Sequence, residues 1–148
     1  MSSIPQPAAQ QSADMRTATS NRPRLILVED NDSVRSATEL FLKLEGYDTR
    51  GAASVAEAEA LFGTMERGEI VIADYHLDER NTGLDMLMRL RAKAGYDVPG
   101  IVLSGDLPSV LRMVKATVPN CIFLSKPVDT AALINAIEEL SSALRKRE

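Results

Sequence analysis

Several apolar runs in this chain end in residues that can do chemistry. Leu25-Ile26-Leu27-Val28 runs into the paired acids Glu29 and Asp30, and Ile70-Val71-Ile72-Ala73 runs into Asp74. The run that closes at Leu103 is followed by Ser104-Gly105, and Cys121-Ile122-Phe123-Leu124 is followed by Ser125-Lys126-Pro127. If these runs are neighbouring parallel strands, three carboxylates, a hydroxyl and an ammonium share one rim. Carboxylates so placed repel and raise one another's pKa unless a cation sits among them. Oxygen donors with no His or Cys cluster suit a hard ion, and Mg²⁺ is the natural choice: it keeps several waters and leaves room for a phosphate oxygen. Lys126 adds a compact positive charge able to pair with a phosphoryl oxygen, and Ser104 offers a hydroxyl donor. A nucleophile, a cation, an ammonium and a donor are the parts that phosphoryl transfer needs.

Taken singly, each piece has an ordinary explanation. Adjacent acids after a strand serve as loop or helix-cap devices. Asp74 could simply begin a turn, Lys126 before a proline could be an exposed loop lysine, and Ser-Gly is turn chemistry. The argument rests on their joint occurrence at successive strand ends.

The elements that would position these residues follow from the apolar pattern. The short β-branched runs read as buried parallel strands. Between them, Val34, Ala37, Phe41 and Leu44 recur at helical spacing, with Gly46 as the stop. Tyr47 to Ala52 is a weaker second strand, and Ser54 with Glu57 forms a capping-box pattern ahead of Ala58, Leu61 and Phe62. A polar loop spans Asp74 to Thr82, and Leu84, Leu87 and Met88 mark a face of a third helix. Pro99 to Leu103 is a fourth strand, and a helix opens near Asp106 and Pro108. Asp129 caps a last helix whose Leu133, Ile137, Leu140 and Leu144 share a face. Five strands alternating with five helices give an α/β fold in three layers, a parallel sheet covered on both sides. Ligands of such open sheets bind at the carboxyl ends of the strands.

Composition bounds the rest. The chain has 148 residues, 45% of them hydrophobic and 26% charged, enough for one domain with one core. A formal charge of −4 speaks against direct nucleic-acid binding, and the basic run Arg145-Lys146-Arg147 reads as a solvated helix end. The single cysteine, Cys121, reads as a small buried thiol, and no internal disulfide is possible. No stretch approaches the about 18 apolar residues of a membrane span. Residues 1–23 also lack the apolar segment of a secretory signal, so the expectation is a cytoplasmic protein with no membrane partner. Those residues, rich in Ser, Ala, Gln, Thr and Pro, read as a disordered tail or linker before a domain over 24–148.

On the motifs Leu25-Ile26-Leu27-Val28-Glu29-Asp30, Val71-Ile72-Ala73-Asp74, Val102-Leu103-Ser104-Gly105 and Phe123-Leu124-Ser125-Lys126-Pro127, the sequence resembles the receiver domains of two-component response regulators. The resemblance covers roughly Arg24 to Arg145 and implies a flavodoxin-like, five-stranded sheet of order 2-1-3-4-5. It implies that Asp74 accepts a phosphoryl group from a phosphohistidine on a histidine kinase or histidine phosphotransfer domain. It further implies that Glu29, Asp30, Asp74 and the backbone carbonyl of His76 hold Mg²⁺. Lys126 would pair with the phosphoryl group, and Ser104 would bind one of its oxygens and draw the following loop inward. The Lys126-Pro127 bond is expected cis. Phe123 stands where the family places a switch aromatic, often Tyr, and lacks that hydroxyl; a plain core aromatic is the other reading. His76, the only histidine, falls where side chains in the family affect phosphoaspartate hydrolysis, and is otherwise an exposed loop residue. The implied output face is residues 107–144, with a downstream protein partner and a phosphorylation-linked homodimer as expectations. The resemblance implies a signalling receiver, not an enzyme beyond its own phosphotransfer and dephosphorylation. The run Asp74-Tyr75-His76-Leu77 followed by Thr82-Gly83-Leu84-Asp85 looks like receivers of hybrid sensor histidine kinases, so a stand-alone regulator and a module of such a kinase both stand as expectations.

Two other classes compete. A haloacid-dehalogenase-type phosphatase wants a second Asp two residues after the nucleophile, where this chain has His76. A receiver-like interaction module that is never phosphorylated usually lacks the acceptor, an acidic partner or the lysine; all are here. A nucleotide-binding loop is absent, since the glycines are scattered.

Overall fold

A β-branched apolar run without alternation is stable only as a strand covered on both faces, and this requirement sets the architecture. The computed structural model describes residues 22–62, 68–77, 81–114 and 118–147, with side chains to 144. Its strands are β1 (Arg24–Val28), β2 (Thr49–Ala52), β3 (Glu69–Asp74), β4 (Gly100–Ser104) and β5 (Cys121–Ser125). They alternate with α1 (Asp32–Leu44), α2 (Val55–Phe62), α3 (Gly83–Ala94), α4 (Leu107–Met113) and α5 (Thr130–Arg147). All strand pairs are parallel, and the sheet order is β2-β1-β3-β4-β5. The expected three-layer, flavodoxin-like topology is therefore the observed one.

Alternate residues of the central strands feed two cores. Leu25, Leu27, Ile70, Ile72, Ile101 and Leu103 point to one side, where Leu42 of α1 and Leu133, Ile137 and Leu140 of α5 cover them. Ile26, Val28, Val71 and Ala73 point to the other, under Ala58 of α2 and Met86, Leu87 and Leu90 of α3. A smaller cluster of Tyr75, Val102 and Val110 seats α4. Among the described residues no helix is long and apolar enough to cross a membrane.

Helix boundaries follow the expected punctuation at Gly46, Ser54 and Asp129, while Asn31 and the Thr82–Asp85 pair are caps beyond those expected from the sequence. Asn31 caps α1 through its side chain, which accepts from the Val34 amide at 2.9 Å, and Gly46 beyond its end takes φ of 97°. Ser54 Oγ accepts from the Glu57 amide, while the Glu57 carboxylate reaches back to the Ala53 amide. Asp129 Oδ1 accepts from the Ala131 amide at the start of α5. A full capping box of Thr82 and Asp85 opens α3.

Two helix faces differ from the expected ones. On α1, Val34 and Leu44 are 46% and 76% exposed, and Leu42 is the residue that is fully inside. The inward face is rotated by about one position, toward Leu42 with Phe41 still packed against the same cluster, because the sheet that the helix covers sets which side turns inward. On α3, Met88 points outward and the buried set is Met86, Leu87, Leu90 and Arg91. Arg91 could not be read as core from its type. Its guanidinium donates to the carbonyls of Val98 (3.0 Å), Pro119 (2.6 Å) and Asn120 (3.3 Å) and faces Asp97, tying α3 to the amino ends of β4 and β5.

At the same pole, Arg22 donates to the Glu45 carbonyl and stacks on the Tyr47 ring, whose hydroxyl donates to Glu138 of α5 at 2.7 Å. The expected tail lies, over residues 1–21, outside the described residues, as do the side chains of Arg145, Lys146 and Arg147.

Replacing Arg91 by Met leaves several backbone carbonyls without their charged donor, and is expected to cost about 2–4 kcal/mol in urea unfolding. A loss within error of zero would count against the tie. Burial, then the bond to Glu138 and that carboxylate's charge, push the Tyr47 phenol from its ordinary 10.0 up to about 12. A phenol that ionises later in the folded chain stabilises the fold fully below pH 10, and that contribution is lost as pH rises through 12. The stability gap between the wild type and Tyr47→Phe should therefore narrow over this interval in urea titrations at stepped pH; a constant gap is the contrary result.

Candidate functional site

Strand register decides which residues meet. Val28 pairs with Ala73, so Glu29 and Asp74, each one residue on, leave β1 and β3 at the same level. Asp74 in turn is level with Leu103, Leu103 with Leu124, and Ser104 with Ser125. Lys126 thus emerges just above the rim on β5. Roughly 10 Å, two strand spacings, separates β3 from β5. The flexible four-carbon stem of Lys126 and the Asp74 side chain close that gap from opposite sides.

The result is a charge cluster at the carboxyl edge of the sheet. Lys126 Nζ lies 2.7 Å from Asp74 Oδ2 and 4.0 Å from Glu29 Oε1. The Glu29 side chain is 10% exposed and that of Asp74 14%, so both carboxylates are held out of bulk water. Glu29 Oε2 accepts from the Asn31 amide at 3.0 Å, and Asp74 Oδ1 from the His76 amide at 3.2 Å. Burial pushes the Glu29 carboxyl above the usual carboxylate range. Asn31 and Lys126 pull it back, while Asp30 and Asp74 push the same way as burial. Asp30 is exposed beside it.

Ser104 is fully buried, and its hydroxyl oxygen accepts from the Asp106 amide at 3.0 Å. That contact commits it to the loop after β4 rather than to the Asp74–Lys126 pair. The Ser104 carbonyl accepts from the Lys126 amide at 2.8 Å, so the serine also fixes where the lysine leaves β5. The Lys126-Pro127 bond is cis, as expected. His76 is exposed, bridges to Thr82, and meets the Tyr75 ring edge-on; residues 78–80 of its loop lie outside the described residues. Phe123 is half-buried against the α4 cluster. Cys121 is partly exposed between two clusters, and burial pushes its thiol up to about 11.

Some contributors were not read from the sequence. Arg35 donates to the Glu29 carbonyl at 2.8 Å and to Asp32 at 2.6 Å, bracing the acidic turn. Gly83, whose amide donates to the Tyr75 carbonyl, lies so close to Asp74 that an added Cβ would clash with the Asp74 carbonyl oxygen. An arginine one helix turn after an acid pair and a glycine at a helix start carry no local mark of these roles.

Among the described residues no three carboxylate, imidazole or thiol side chains converge into a ready-made metal cage. Mg²⁺ does not require one, because it binds through one or two carboxylates and keeps its waters. Glu29 and Asp74 already face a common cation, the Lys126 ammonium, with Asp30 beside them and no thiol near. This all-oxygen donor set fits a hard divalent ion.

Comparison with known proteins is consistent with this geometry. The family model described as response regulator receiver domain matches residues 25–138. Over 123 residues the chain is 32% identical to the transcriptional regulatory protein GlrR of Escherichia coli, covering 81% of this chain and 27% of that protein. It is 30% identical over 130 residues to the sensory/regulatory protein RpfC of Xanthomonas campestris, covering 83% of this chain and 17% of the relative. The chain thus spans well under half of either. The crystal structure of a response regulator receiver protein from Pseudomonas putida superposes with a TM-score of 0.65 at 31% identity, over 80% of this chain and 97% of that one.

Gly83→Ala is expected to push the Asp74 backbone away from α3. Its stability should fall by about 1–3 kcal/mol, the range for forcing bulk into a packed site. The Asp74 and Tyr75 amide resonances should move with it, and unchanged resonances would show that α3 yields instead.

Proposed function

The chain belongs to the response regulator receiver domain family of two-component signalling, and on that premise we propose that Asp74 is the phosphoryl acceptor. The observation that carries this reading is the Lys126–Asp74 contact of 2.7 Å on a nearly buried carboxylate, flanked by Glu29. A buried aspartate at a strand end, facing an ammonium and held by a backbone amide, is oriented as a nucleophile.

In this reading a carboxylate oxygen of Asp74 attacks the phosphorus of a phosphohistidine on a histidine kinase or histidine phosphotransfer domain. An O–P bond forms, the N–P bond breaks, and the imidazole leaves with the bonding electron pair. Lys126 exchanges its contact with the Asp74 carboxylate for one with a phosphoryl oxygen, balancing the charge that arrives. Ser104 takes another oxygen by turning its hydroxyl from Asp106, which draws in the loop at the start of α4. Glu29, Asp30, Asp74 and the His76 carbonyl are the residues that would hold Mg²⁺; when bound, the ion neutralises negative charge on the transferring group. His76 beside the acceptor is the candidate for setting the phosphate lifetime.

The consequence is a change of surface. Residues 107–144 form the proposed output face, where Leu111 and Met113 are exposed and β5 is an edge strand. A downstream protein or a second copy of the chain binds there, and Phe123 beneath it reports the switch. The domain works in the cytoplasm, as a stand-alone regulator or as a module of a hybrid histidine kinase, and binds neither nucleic acid nor membrane directly.

Incubation with acetyl phosphate and Mg²⁺, read by intact mass, should add one phosphoryl group to the wild type and none to Asp74→Asn. Chelation of the metal should remove the gain. A full gain on Asp74→Asn would place the acceptor elsewhere.

A further inference from the structure

α4 is lightly anchored. It spans seven residues, Val110 is its buried side chain, and Leu111 and Met113 stand 50% and 59% exposed. Its first contact with the site runs through Ser104, whose hydroxyl oxygen holds the Asp106 amide at the helix start. The second runs through Val110, which packs in a small cluster with Tyr75 and Val102, with Leu84, Val114, Cys121 and Phe123 at its edge.

Tyr75 is the residue of that cluster joined covalently to Asp74. Its amide donates to the Leu103 carbonyl at 2.7 Å and its carbonyl accepts from the Gly83 amide at 2.8 Å, so its backbone is clamped between β4 and α3. The residue is 8% exposed, and the His76 imidazole meets its ring edge-on at 5.0 Å. The His76 amide in turn holds Asp74 Oδ1. Asp74, His76 and Tyr75 therefore form a chain of contacts that runs from the proposed acceptor carboxylate into the cluster that holds Val110. Phe123 touches the same cluster from an edge strand and has no comparable connection to Asp74.

We propose that Tyr75 is a positioning residue that couples the chemical state of Asp74 to the placement of α4 through the cluster it shares with Val102 and Val110. The proposal rests on the phosphoryl-accepting reading above. A group added to Asp74 disturbs the bond from the His76 amide and moves the imidazole that leans on the Tyr75 ring. With the backbone clamped, the ring absorbs this by turning, and in a close-packed cluster Val110 must follow. The coupling is reciprocal, so a change at Val110 returns to Asp74.

The test is hydrogen exchange of peptides covering residues 107–113 in the full chain, before and after acetyl phosphate treatment, with intact mass as the record of phosphorylation. In the wild type, phosphorylation should shift the exchange of these peptides. The shift should be lost in phosphorylated Tyr75→Ala and restored in Tyr75→Phe, which keeps the ring. An equal shift in wild type and Tyr75→Ala overturns the proposal. A wild type that gains no phosphate overturns the phosphoryl-accepting reading, and this inference with it. Should Tyr75→Ala not fold, Val110→Ala decides: a changed phosphate lifetime upholds the coupling, and a wild-type lifetime ends it.

Discussion

The ion pair of Lys126 with Asp74 closes across two strands of the sheet, and most of the architecture can be understood as what lets it form. It needs β3 and β5 parallel, so that both side chains leave at the same edge. It needs β4 between them in a register that puts Lys126 just above the rim. It also needs the Ser104 carbonyl to hold the Lys126 amide, because a stem with four rotatable carbons reaches a carboxylate reliably only from a fixed root. Without the pair, Asp74 would be a nearly buried charge beside another carboxylate, a costly arrangement.

Glu29 shows the same constraint from the other side. Its carboxyl is pushed upward chiefly by burial, so the fold holds it in a place that disfavours its charge. The local structure moderates this without removing it, through the Asn31 amide on the carboxylate and Arg35 on the carbonyl. Concentrated negative potential at a strand edge is poor for stability and useful for drawing in a cation. An edge of this kind has to be offset by favourable contacts elsewhere in the fold.

That offset is visible at the opposite pole. Arg91 gathers the carbonyls that begin β4 and β5, and Tyr47 joins the region after α1 to Glu138 of α5 under the stacked Arg22. These contacts fix the amino ends of the strands while the carboxyl ends keep the loops and the short α4. The two poles of the sheet thus differ in their contacts: charged and aromatic ties at the amino ends, and the acidic cluster with the short α4 at the carboxyl ends.

The sequence by itself determined the fold class, the strand positions and the identity of the acidic and basic residues at the rim. Buried parallel strands must be short β-branched runs, and residues that end them must lie at one edge of the sheet. Several helix starts and stops were legible for the same local reason, since Ser54, Gly46 and Asp129 act on backbone groups a few residues away. The inward faces of α1 and α3, the buried role of Arg91, the bracing by Arg35 and the need for glycine at position 83 were decided only by tertiary structure. Most depend on how one element meets another, Arg91 on Pro119, Gly83 on the Asp74 carbonyl and the rotation of α1 on the sheet it covers, while Arg35 acts nearby but through a guanidinium whose target its type does not announce. Periodicity records that a helix has an apolar side. Which side turns inward, and which polar groups go with it, is set by what the sheet presents to it.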